Sequence, residues 1–172
     1  MAGSAGPPPA FDPLRTLETL HRHGVRFVII GAFAGRLLGS PSLTRDLDIC
    51  YARDPENLEA LAAALQELHA RLRGVTEDVP FRLDAKTLAN GDSFTFVTDA
   101  GDLDVLATPS GTAGYDELAR TADEVDLGAM RIKTASIDSL IRMKRAAGRP
   151  KDLIEVEVLG ALRDEIDRGA GS

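Results

Sequence analysis

The chain has 172 residues, 44% hydrophobic and 27% charged, which is enough for one globular domain with a substantial core and too short for two large ones. With 20 Lys and Arg against 27 Asp and Glu the net charge is -7, and this excludes a uniformly basic coat for nucleic acid or an anionic membrane. The single cysteine, Cys50, excludes an intramolecular disulfide and a cysteine-based structural zinc site.

The opening MAGSAGPPPA lacks a positive n-region and an apolar run of signal-peptide length. No stretch approaches the roughly 18 apolar residues of a membrane span. The expectation is a cytoplasmic protein with no membrane partner. Residues 1–10 bury nothing and read as a disordered tail. Leu14, Leu17 and Leu20 then recur at helical spacing up to His23-Gly24. Val25–Ile30 is a β-branched run of strand length, punctuated by Gly31 before a short small-residue helix over Ala32–Leu38. Asp46–Tyr51 alternates as a half-buried strand. Asp54-Pro55-Glu56 caps a helix whose stripe of Leu58, Leu61, Ala62, Leu65, Leu68 and Leu72 is expected to run to Gly74.

Residues 75–92 read as irregular. Phe94–Thr98 and Asp102–Ala107 form a hairpin about Asp99-Ala100-Gly101. A short helix at Tyr115–Arg120 and a strand pair at Glu124–Leu127 and Met130–Lys133 follow. Ser136 caps a helix that ends at Gly148, and Pro150 opens a last helix with the stripe Leu153, Val156, Leu159, Leu162 and Ile166. The pattern predicts an α/β fold: a mixed β-sheet flanked by helices, with a core over 11–134 and a C-terminal helical segment of the same domain, 135–168, packed on it.

Chemistry concentrates in two strands. Side chains two apart on a strand share a face, so Asp46 and Asp48 point together while Leu47 and Ile49 enter the core. Asp102 and Asp104 repeat the arrangement. If the strands are neighbours, carboxylates about 5 Å apart repel, and a divalent cation relieves that repulsion most simply. Hard oxygen ligands suit Mg²⁺ or Mn²⁺, whose shells are completed by water and phosphate oxygens. Near the C-terminus, the helical series Ile137, Leu140 and Ile141 ends on Lys144. That lysine either snorkels to water or places its ammonium over phosphates. Asp152, in the first turn of the following helix, either orients Lys144 or stabilises the helix end.

Gly31-Ala32, Asp46-x-Asp48 and Asp104 together resemble the nucleotidyltransferase superfamily, whose pattern is a Gly-Gly or Gly-Ser turn, an Asp-x-Asp strand and a later single acid. The segment from Lys144 through Gly148-Arg149-Pro150-Lys151-Asp152-Leu153 looks like the closing segment of the AbiEii-type toxin nucleotidyltransferases. The resemblance implies transfer of a nucleoside monophosphate from an NTP to an acceptor hydroxyl. It assigns Asp46, Asp48 and Asp104 to metal, and Lys144 to the triphosphate. Gly31, Ala32, Arg45 and Asp152 complete the nucleotide side. It also implies an RNA acceptor such as a tRNA 3′ end and an antitoxin protein as partner. Ala32 departs from the usual Ser or Gly and removes one hydroxyl donor, the feature that favours a competing reading as a nucleotide- or protein-binding regulator.

Arg36 is a further phosphate candidate. His21 and His69 are expected to pack, His23 to act as a helix-end cation, and Cys50 to be an inert small side chain. Charge is polarised along the chain: residues 131–151 hold seven cations against Asp138 alone, a local +6, leaving -13 for the rest of a chain whose total is -7.

Overall fold

The computed structural model describes residues 6–75 and 80–170. Helix α1 (Pro13–Arg22) begins where Asp12 accepts a hydrogen bond from the Arg15 amide, with Pro13 in the first turn. Strand β1 (Phe27–Ile30) runs directly into the short helix α2 (Gly31–Leu37). Strand β2 (Asp46–Tyr51) precedes α3 (Pro55–Glu67), which Asp54 caps through the Asn57 amide.

The expected continuation of α3 to Gly74 is corrected. The helix stops at Glu67, His69 takes φ 52, and Leu72 lies in a two-residue strand β3 (Arg71–Leu72). The leucine spacing fits a helix up to Leu68, but the chain must turn back there to pair with the hairpin. The region read as irregular contains α4 (Ala85–Ala89), capped by Asp84; its residues 76–79 lie outside those described. Strands β4 (Ser93–Thr98) and β5 (Gly101–Leu106) form the expected hairpin. Then come α5 (Tyr115–Arg120), the pair β6 (Asp123–Asp126) and β7 (Arg131–Thr134), α6 (Ile137–Ala147) and α7 (Pro150–Ala170). Ser136 caps α6, and Gly148 closes it at φ 67 in the left-handed region that a helix C-terminus uses.

All seven strands join one mixed sheet in the order β3-β4-β5-β2-β1-β7-β6. β2 is antiparallel to β1 and parallel to β5, and β1 is parallel to β7. Leu47, Ile49, Leu103 and Val105 are buried in the same core as Leu17, Leu20, Leu61 and Leu65. This alternation fixes the register. A one-residue slip of β5 would exchange two buried apolar side chains, each worth about 1.5–3 kcal/mol, for two carboxylates that the core cannot solvate.

The stripe read along α7 is corrected as well. Asp152 and Leu159 are its buried residues, whereas Leu153 and Ile166 are exposed. Leu14, counted in the apolar stripe of α1, is also half exposed. No helix among the described residues is long and apolar enough to cross a membrane.

Candidate active site

The parallel pairing of β2 with β5 sets Asp46 opposite Asp102 and Asp48 opposite Asp104. Leu47 and Ile49 turn inward, so the four acids share the other face. The row continues in both directions. Ile30 of β1 stands beside Asp48, and Thr95 of β4 stands beside Asp104. Burial first, then the Asp104 charge, a hydrogen bond shared with Asp104 and the Asp46 charge push the Asp48 carboxyl up to about 7, with Lys144 acting against them. Asp48 therefore keeps its proton to a higher pH than an ordinary aspartate.

Gly31 lies hard against the Asp48 carboxylate. It has φ +71, and a Cβ there would stand 2.2 Å from Asp48 Oδ2 and 3.0 Å from its Cγ. The position excludes side chains both by backbone conformation and by space. Thr44 secures the entry of β2, its hydroxyl donating to the Asp46 carbonyl and accepting from the Asp46 amide.

Beside the acids lies a cleft of about 200 Å³. Gly31 and Ala32 line it together with Met143, Lys144 and Arg149. Asp152 is fully buried beneath the cations. It accepts from the Arg149 Nε at 2.6 Å, the Arg149 Nη2 at 3.2 Å and the Arg149 amide at 3.2 Å, and Lys144 Nζ lies 3.5 Å from its Oδ1. These hydrogen bonds from Arg149, helped by the nearby Lys144 charge, hold the Asp152 carboxyl below its ordinary range despite burial. Asp152 thus orients Lys144 and also closes the start of α7; the two roles read from its sequence position are compatible. Along the cleft, the Ser42 hydroxyl donates to Glu155 at 3.0 Å, tying the loop before β2 to α7.

Other sequence candidates lie elsewhere. Arg36 donates to the Ser42 carbonyl and braces that loop rather than lining the cleft. Arg45 is exposed outside the cleft lining. His21 is exposed, and His69 pairs with Asp99 on the surface; neither packs as expected, because both fall at the solvent side of a helix end. His23 reaches Glu67. Cys50 is buried, its thiol donating to the Ala107 carbonyl, and burial with the Asp92 charge pushes it up to about 12.

Sequence reasoning missed Arg73. Its amide bonds the Thr95 carbonyl at 2.9 Å, and its Nη2 donates to Asp104 Oδ1 at 2.5 Å and to the Phe96 carbonyl at 3.2 Å. The signal was present in Arg71-Leu72-Arg73, which alternates charged and apolar as an edge strand does.

The donor set suits a hard divalent cation: carboxylate oxygens face one another on adjacent strands. Among the described residues, no three acidic, histidine or cysteine side chains yet converge on one point as a metal shell; Asp104 is engaged by Arg73.

No protein-family description matches this sequence, and no curated protein matches it. Solved structures do. The chain is similar to the lincosamide antibiotic adenylyltransferase LnuA bound to lincomycin, with 12% identity, a TM-score of 0.59 and coverage of 87% of this chain and 95% of the other. It is similar to a nucleotidyltransferase-like protein, TM1012, from Thermotoga maritima, with 17% identity, a TM-score of 0.50 and coverage of 93% and 97%. It is also similar to the antibiotic-resistance factor ANT(2'')-Ia, with 16% identity, a TM-score of 0.51 and coverage of 92% and 91%. The seven-stranded mixed sheet with its flanking helices is a nucleotidyltransferase fold.

Proposed function

We propose that this chain is a metal-dependent nucleotidyltransferase that moves a nucleoside monophosphate from an NTP to an acceptor hydroxyl. The observation that carries this reading is the register placing Asp48 opposite Asp104, with Asp46 on the same face, beside a cleft walled by Lys144. Asp46, Asp48 and Asp104 would hold Mg²⁺ or Mn²⁺, which when bound lowers the pKa of an acceptor hydroxyl and neutralises the departing pyrophosphate. Lys144, oriented by Asp152, neutralises phosphate charge in the cleft. The Gly31 turn lets the polyphosphate approach the backbone without a side chain between it and Asp48.

For the acceptor, the resemblance to AbiEii-type toxins supports an RNA end such as a tRNA 3′ hydroxyl, with an antitoxin as protein partner. A second reading, a small-molecule hydroxyl, is favoured by the state of the basic segment. Arg131 pairs with Glu124, Arg142 with Glu117, and Lys144 and Arg149 with Asp152, so much of the local +6 is already neutralised within the protein. The names of LnuA and ANT(2'')-Ia point the same way for those proteins.

The test is incubation with each labelled NTP and Mg²⁺ or Mn²⁺, offering total RNA, a protein extract, and a panel of hydroxyl-bearing antibiotics that includes a lincosamide. Label should enter one acceptor class, fall at least about a hundredfold in D46N, D48N and D104N, and require more NTP for half-saturation in K144A. Absence of transfer by the unmodified protein to every acceptor overturns the enzyme reading and leaves the regulator that Ala32 suggested.

A further inference from the structure

The acid face carries a cation of its own. Arg73 is anchored at two backbone points, through its amide to Thr95 and through Nη2 to the Phe96 carbonyl, and its guanidinium meets Asp104 Oδ1 at 2.5 Å. Its Nε lies 3.5 Å from Asp102 Oδ2 and makes no hydrogen bond. The side chain is two-thirds buried, so the pair is less screened than a surface ion pair. One oxygen of Asp104 is therefore committed to the guanidinium, while the residue stands opposite Asp48 in the strand register.

We propose that Arg73 is the resident counter-cation and positioning residue of Asp104, holding one carboxylate oxygen so that a divalent cation enters through Asp46 and Asp48 and competes with the guanidinium for the third acid. This rests on the metal reading given above. Two consequences follow from the chemistry. Asp104 can offer metal a single oxygen while Arg73 stays in place, because a guanidinium bond occupies the other. The fixed positive charge beside the acids also weakens their hold on free metal, since like charges a few ångströms apart repel in a mostly buried site. The arrangement accounts for acids of the right chemistry that do not yet form a closed shell.

The experiment is titration of the full-length, metal-free protein with Mn²⁺ alone at low ionic strength, following free Mn²⁺ by electron paramagnetic resonance. R73M should bind Mn²⁺ on the order of tenfold more tightly, and R73K should stay near the starting affinity. In a D104N background, R73M should change affinity by less than about twofold, because the effect runs through that carboxylate. Unchanged affinity in R73M, or equal tightening with and without Asp104, overturns the assignment. Should circular dichroism show R73M unfolded, R73Q is read by the same criteria. Mn²⁺ binding that is absent, or indifferent to D46N and D48N, overturns the metal reading itself; binding that needs both acids while Arg73 variants are inert overturns this inference alone.

Discussion

Replacing Gly31 with alanine tests the close approach of the β1–α2 turn to Asp48. At φ +71 an L-residue costs about 1–2 kcal/mol more than glycine. The added Cβ would also meet Asp48 Oδ2 at 2.2 Å and Cγ at 3.0 Å, and relieving such a contact costs about 1–3 kcal/mol. The total of about 3 kcal/mol corresponds to a Tm lower by about 6–12 °C for a chain of this size. A double-mutant cycle separates the two contributions. In D48A the contacts with Oδ2 and Cγ vanish, leaving the backbone strain and a Cβ contact of 3.1 Å; G31A should then cost about half as much. Differential scanning calorimetry of the four proteins gives both numbers. A fall of less than about 3 °C for G31A, or the same fall in both backgrounds, refutes the account.

Two further outcomes are expected. Metal-free protein should lose stability as pH rises from 5 to 8. The folded state keeps the Asp48 proton up to about 7, whereas the unfolded chain releases it near the ordinary value of about 4, so this group's contribution is complete below that value and disappears through 7. Melting curves in chelator should show the slope in the unmodified protein and a weaker one in D48N; equal slopes refute it. Cys50, buried and pushed up to about 12, should resist iodoacetamide at pH 8 in the native protein and react in denaturant, as mass spectrometry would show; rapid native labelling would contradict the burial.

The acid face was legible because Asp46-Leu47-Asp48-Ile49 and Asp102-Leu103-Asp104-Val105 each alternate over a strand length, and alternation tells face from core without knowledge of the partner strand. Gly148 and Pro150 marked the α6–α7 junction for equally local reasons. Arg73 was hidden because its role is wholly tertiary. The leucine run before it reads as a helix until β4 supplies the edge on which Arg71 and Leu72 pair. The apolar residues at the ends of α7 misled for the converse reason: their spacing is helical, but the helix packs on α6 and, through Leu159, on Gly35 of α2, and Leu153 and Ile166 stay exposed. Local pattern does not report how much surface the rest of the fold presents.

The parallel contact of β2 with β5 has a consequence for how the molecule comes to exist. Asp48 and Asp104 touch in space, yet α3, β3, α4 and β4 lie between them in the chain. Closing so long a loop is paid in entropy before the contact returns anything, so the β2–β5 contact belongs to the later stages of folding. A growing chain that has emerged from the ribosome only through β2 carries two carboxylates without the third, without the arginine that faces it, and without the lysine wall. The chemistry proposed for this face therefore switches on with completion of the sheet, and partly folded chains are chemically silent.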